Sequence, residues 1–159
     1  MKKSITEYTI MRLLLLFEQD LINLFRNVPA SYKFTYTQQV FDQMGFTKRL
    51  LVKVLDMPKE VDMEMRIVKY KMLAESRSEL RVVEVNLCQL NDLSAISNKV
   101  KSKLDMALYD LYMNFDRLLI SLQRKITECG GTESQGCAPG SVLAIVGTPD
   151  CEKERASYA

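Results

Sequence analysis

The chain has 159 residues and a formal net charge of +2, with 47% apolar residues, 26% charged residues and neither His nor Trp. That length suits one domain, and the apolar share argues against disorder. The longest unbroken apolar runs, residues 13–17 and 142–146, are far too short to cross a bilayer. The missing His removes the usual general base near neutral pH and the commonest metal ligand, which excludes serine triads, His-based zinc sites and His-dependent cysteine nucleophiles.

Composition shifts along the chain. Residues 1–125 carry 20 Lys and Arg against 15 Asp and Glu, whereas residues 126–159 carry 2 against 5. Five of the six Gly also fall in the later stretch. The expected division is a helical body over 1–126 and a flexible, acidic, Gly- and Pro-rich tail over 127–159. No basic, apolar and small-residue pattern marks a signal peptide at the start.

The body is expected to be all-α, with four helices and no alternating strand pattern. Helix one is expected to start at Ser4, where Ser4-Ile5-Thr6-Glu7 fits a capping box. Its apolar residues Ile10, Leu14, Phe17, Leu21, Leu24 and Val28 hold one face, and Pro29 ends it. A second set, Met11, Leu15, Ile22 and Phe25, is more than one four-helix core requires. Either the helix sits centrally in a wide bundle or this face meets another subunit.

Helix two is expected to begin at Thr35, in the capping box Thr35-Tyr36-Thr37-Gln38, and to stop near Met57 before Pro58. Tyr36, Val40, Met44, Leu51 and Val54 share one side, with Thr47 in the missing step. Gly45 in mid-helix suggests close packing against a neighbouring helix. Helix three covers residues 61–93, with an apolar stripe from Met63 to Leu90 that Ser76 and Arg77 interrupt. Ser97 is the expected cap of helix four. There Leu104, Leu108, Leu111, Phe115, Leu118 and Leu122 make the cleanest stripe, opposed by Lys103, Asp110, Asn114, Arg117, Ser121 and Arg124. Short connections between long helices favour an antiparallel up-down-up-down bundle.

Few residues could carry chemistry. Glu18, between Leu15 and Ile22, is expected to pair with a base or to sit at an interface. Cys88, beside Leu87 and Leu90, is expected in the core. The intervals between Cys129, Cys137 and Cys151 match no zinc pattern, and reduced thiols suit a cytoplasmic protein. No catalytic residue, cofactor or metal is expected.

The basic residues remain. Arg66, Lys69, Arg77 and Arg81 fall within about a 120° arc of helix three. Lys48, Arg49 and Lys53 lie on helix two, and Arg117 and Arg124 on helix four. These nine are the candidates for nucleic-acid contact. The helix-three arc also suits an ordinary solvated face, which Asp62 and Glu84 share.

Two turns carry a resemblance. Leu24-Phe25-Arg26-Asn27-Val28-Pro29, followed by Tyr32-Lys33-Phe34-Thr35-Tyr36-Thr37-Gln38-Gln39-Val40, resembles the first turn of a known bundle family. Asp92-Leu93-Ser94-Ala95-Ile96-Ser97, with Lys99, resembles that family's turn between helices three and four. The family joins the accessory variability determinant proteins of diversity-generating retroelements to the bundle proteins of 23S rRNA intervening sequences. The similarity spans about residues 8–125. Many members close helix four with Gly and Trp, and residues 115–125 here contain neither. The resemblance implies a homopentameric ring of four-helix bundles. It also implies a nonenzymatic role in binding a reverse transcriptase and its structured template RNA. Met11, Leu15, Ile22 and Phe25 would then supply the subunit interface.

Overall fold

The computed structural model describes residues 5–58 and 62–133. It contains four helices, α1 (Ile5–Asn27), α2 (Ala30–Asp56), α3 (Met63–Asp92) and α4 (Asn98–Glu133), and no strand among the described residues. Ser4 and the tail from residue 134 lie outside this range. Each helix packs against two others: α2 on α1 and α3, α4 on α3 and α1. The diagonal pairs stay apart, so the four stripes close around one core.

The stripe of α1 is buried as expected at Ile10, Leu14, Phe17, Leu21 and Val28. Its next step falls on Phe25 rather than Leu24. Phe25 is 3% exposed and packs against Phe41 with ring centroids 5.6 Å apart. In α4, all six residues of the expected stripe are buried, and Leu119 and Ile126 join them. Ser76 does not interrupt the α3 stripe; it lies fully buried within it.

The helix ends are set by local chemistry. Val28 and Pro29 alone separate α1 from α2, and α2 starts at Ala30, not at Thr35. Proline has its φ already fixed, so the chain re-enters helix at once. The Pro29 carbonyl accepts from the N–H groups of Tyr32 and Lys33, both at 3.0 Å. The capping box at Thr35 is therefore idle, and its residues lie inside the helix. Asp62 caps α3 by accepting from the Met65 N–H at 2.8 Å.

The end of α3 forms a Schellman turn: the Ala95 N–H donates to the Leu90 carbonyl and the Ser94 N–H to that of Asn91, both at 2.9 Å. Ser94 takes the left-handed position, with φ of 58°. The Ser97 hydroxyl then caps α4 by accepting from the Val100 N–H at 3.2 Å, as expected. Helix α4 continues through the compositional change at residue 126 as far as Glu133.

Two core expectations change. Cys88 is exposed, because it stands about 100° around the helix from Leu87. Gly45 has no close neighbour, since an added Cβ would meet nothing within 4 Å. Close packing within the chain does not explain it. Gly45→Ala is expected to stabilise the fold by about 0.5–1 kcal/mol in urea unfolding. A loss of stability instead would mean that another chain approaches this backbone.

Candidate nucleic-acid interface

The expected contact residues divide by what surrounds them. On α3, three of the four cations face carboxylates. Lys69 forms an ion pair with Glu7 in which both side chains are largely buried. That pair links α3 to α1 across the bundle, where the two backbones do not meet. Arg77 grips Asp116 of α4, with Nε 2.8 Å from one carboxylate oxygen and a second guanidinium nitrogen donating to the other at 3.3 Å. Arg81 lies 3.5 Å from Glu84. Arg66 is half-buried and has a partner of its own.

Arg77 and Arg81 also share an aromatic ring. Their guanidinium carbons lie 4.9 and 5.8 Å from the centroid of Tyr112. The Tyr112 hydroxyl donates to Glu84 at 2.7 Å. Arg77, Arg81 and Glu84 of α3 with Tyr112 and Asp116 of α4 thus form one network along the α3–α4 seam. Burial first, and then the Glu84 carboxylate, raises the ionisation of Tyr112 well above the ordinary value of 10.0. Burial and Asp116 also raise that of Tyr70.

On α2, Lys48 pairs with Glu18 at 2.8 Å, which gives Glu18 the basic partner expected for it. Arg49 and Lys53 are exposed, and Arg49 lies 5.8 Å from the ring of Phe46. Arg117 and Arg124 are exposed on α4. Among the described residues neither has a carboxylate within ion-pair distance. They share a shallow cleft with Ile120, Ser121 and Lys125.

The expected oligomer face is divided too. Leu15 is 49% exposed, Met11 and Ile22 are half-buried, and Phe25 is taken into the chain's own core. Leu16, 55% exposed, extends the open strip. A second apolar face escaped the sequence reading. Met106, Tyr109, Met113 and Ile120 run along the side of α4 that points away from the core, with Met106 72% exposed. Their spacing of 3, 4 and 7 was the available signal, masked by the polar residues between them.

The two turns that carry the family resemblance border one recess of about 330 Å³, with Asn27 and Val28 on one side and Ala95, Ile96 and Ser97 on the other. Among the described residues no group of three His, Cys, Asp or Glu is placed to hold a metal ion, and no helix is long and apolar enough to cross a membrane. In comparisons with family models, curated proteins and solved structures, the chain matches none.

Two measurements test this electrostatic picture. Lys69→Met should destabilise the fold by about 3 kcal/mol, because it leaves the Glu7 carboxylate buried and unpaired. The double variant Glu7→Gln/Lys69→Met should recover most of that loss in urea unfolding. A cost below about 1 kcal/mol for the single variant would mean that the pair is effectively solvated.

The second concerns alkaline pH. The folded state holds the Tyr112 proton where the unfolded chain releases it, so stability should fall as pH rises past about 10. Tyr112→Phe should flatten part of that fall, to which Tyr70 and Lys101, both raised in the folded state, also contribute. An unchanged pH profile in Tyr112→Phe would rule out this linkage.

Proposed function

We propose that the chain is a nonenzymatic accessory protein that binds the reverse transcriptase and structured template RNA of a diversity-generating retroelement, and so supports mutagenic reverse transcription. The observation that carries this reading is the set of exposed cations on α2 and α4. Arg49, Lys53, Arg117, Arg124 and Lys125 have no carboxylate partner among the described residues. Such cations attract a polyanion, and the neutralised α3 cations do so far less. The resemblance of the two turns supplies the identity of the RNA's machinery.

In this reading the bundle runs up-down-up-down in a cytoplasmic protein. Support comes from the seam contacts: Arg77 pairs with Asp116 while Glu84, further along α3, pairs with the earlier Tyr112. The bundles assemble into a homopentameric ring. Two different apolar faces favour this arrangement, Leu15 and Leu16 on α1 and Met106, Tyr109 and Met113 on α4. A contact between two unlike faces repeats head to tail, and a rotation of one fifth of a turn per subunit closes it into a five-membered ring.

A second reading, a structural or protein-interaction bundle of the 23S rRNA intervening-sequence type, draws on the same α4 face, which suits a protein partner without any nucleic acid. One preparation separates the two. Light scattering should give a mass near five times the 18.3 kDa of the chain. The ring should retain a reverse transcriptase encoded beside it, together with RNA. A monomer that retains neither would favour the second reading.

A further inference from the structure

We infer that the phosphate-binding surface is the α4 cleft formed by Arg117, Ser121, Arg124 and Lys125, and not the basic arc of α3. This rests on the proposed role in binding RNA and deepens it. The argument begins with what each cation already touches. A guanidinium that grips a carboxylate must give up that contact to take a phosphate, so the exchange gains little. Arg77 holds Asp116 through two nitrogens, and Lys69 is largely buried against Glu7. Releasing either would also break a contact that joins two helices.

The α4 cleft has the opposite character. Arg117, Arg124 and Lys125 are exposed and have no carboxylate within ion-pair distance among the described residues. Their positions, with Ser121, fall within about a 100° arc and span about 12 Å of helix axis. Ile120 forms the apolar part of the lining. Three cations and a hydroxyl therefore face one strip of solvent. Arginine's forked donors take two phosphate oxygens at once, and the Ser121 hydroxyl adds a neutral donor. The three cations and the hydroxyl suit phosphate oxygens, which recur along every RNA strand, so the surface fits the backbone and binds it without sequence preference.

The test uses the full chain, a fluorescein-labelled hairpin RNA and a labelled uridine homopolymer, read by anisotropy across a KCl titration. Arg117→Gln/Arg124→Gln/Lys125→Gln should bind both at least about tenfold more weakly at low salt. Its log–log salt slope on the homopolymer should be shallower by about two, the share of three phosphate contacts. Helicity and assembly mass should match the wild type. Arg49→Gln/Lys53→Gln should change affinity much less. If the triple variant misfolds, Ser121→Glu places a carboxylate in the cleft without removing any buried group and should weaken binding to a similar degree.

Wild-type affinity and slope in a folded triple variant would overturn the assignment while leaving RNA binding intact. Loss confined to the Arg49 and Lys53 variant would move the surface to α2. A wild-type chain that binds neither RNA at any salt would overturn both the assignment and the role on which it rests.

Discussion

The constraint on which the rest depends is that each helix has one deep apolar stripe and cannot bury it alone. Helices of this length gain most of their stability from packing an amphipathic face. Four stripes meeting at one axis fix the rotation of every helix about itself, and that rotation decides which side chains reach the seams. Arg77, Glu84, Tyr112 and Asp116 meet because Leu80, Leu87, Leu108 and Phe115 have already turned α3 and α4 toward the core. The charge network is thus a consequence of the core and not an independent cause of the fold.

The same rotation sorts the cations. Those at the edge of a stripe lie where a neighbouring helix presents a carboxylate, and they are neutralised. Those turned further outward meet only water. A single sequence gives both groups the same formal charge, yet their capacity to attract a phosphate differs. A net charge of +2 therefore understates the field on one side of α4 and overstates it along α3.

Much of the fold was legible in the residues. The α4 stripe, the Ser97 cap and the break at Pro29 follow from periodicity and proline stereochemistry, and all three are present. The start of α2 was not legible, because the Thr35 box matches a cap pattern that the chain does not need once Pro29 has restarted the helix. Cys88 and Gly45 were placed by the company they keep in sequence, which ignores the 100° turn per residue and the gap to the next helix. The candidate site was legible only as a set of basic residues. The Arg81–Glu84 pair follows a three-residue helical spacing, but the partners of Lys69, Lys48 and Arg77 are Glu7, Glu18 and Asp116, which lie tens of residues away, and no local pattern links them. The apolar side of α4 was missed because an amphipathic reading accounts for one face and treats the remainder as polar.

The order in which the helices meet has a consequence for how the chain folds. Three of the four packed pairs join helices adjacent in sequence and need only a short connection to form. The contact of α1 with α4 joins the two ends of the bundle, so it bears the largest loop-closure entropy. Mostly local contacts place the chain among fast-folding helical proteins. The α1–α4 seam is then expected to close last, after the helices adjacent in sequence have packed against one another.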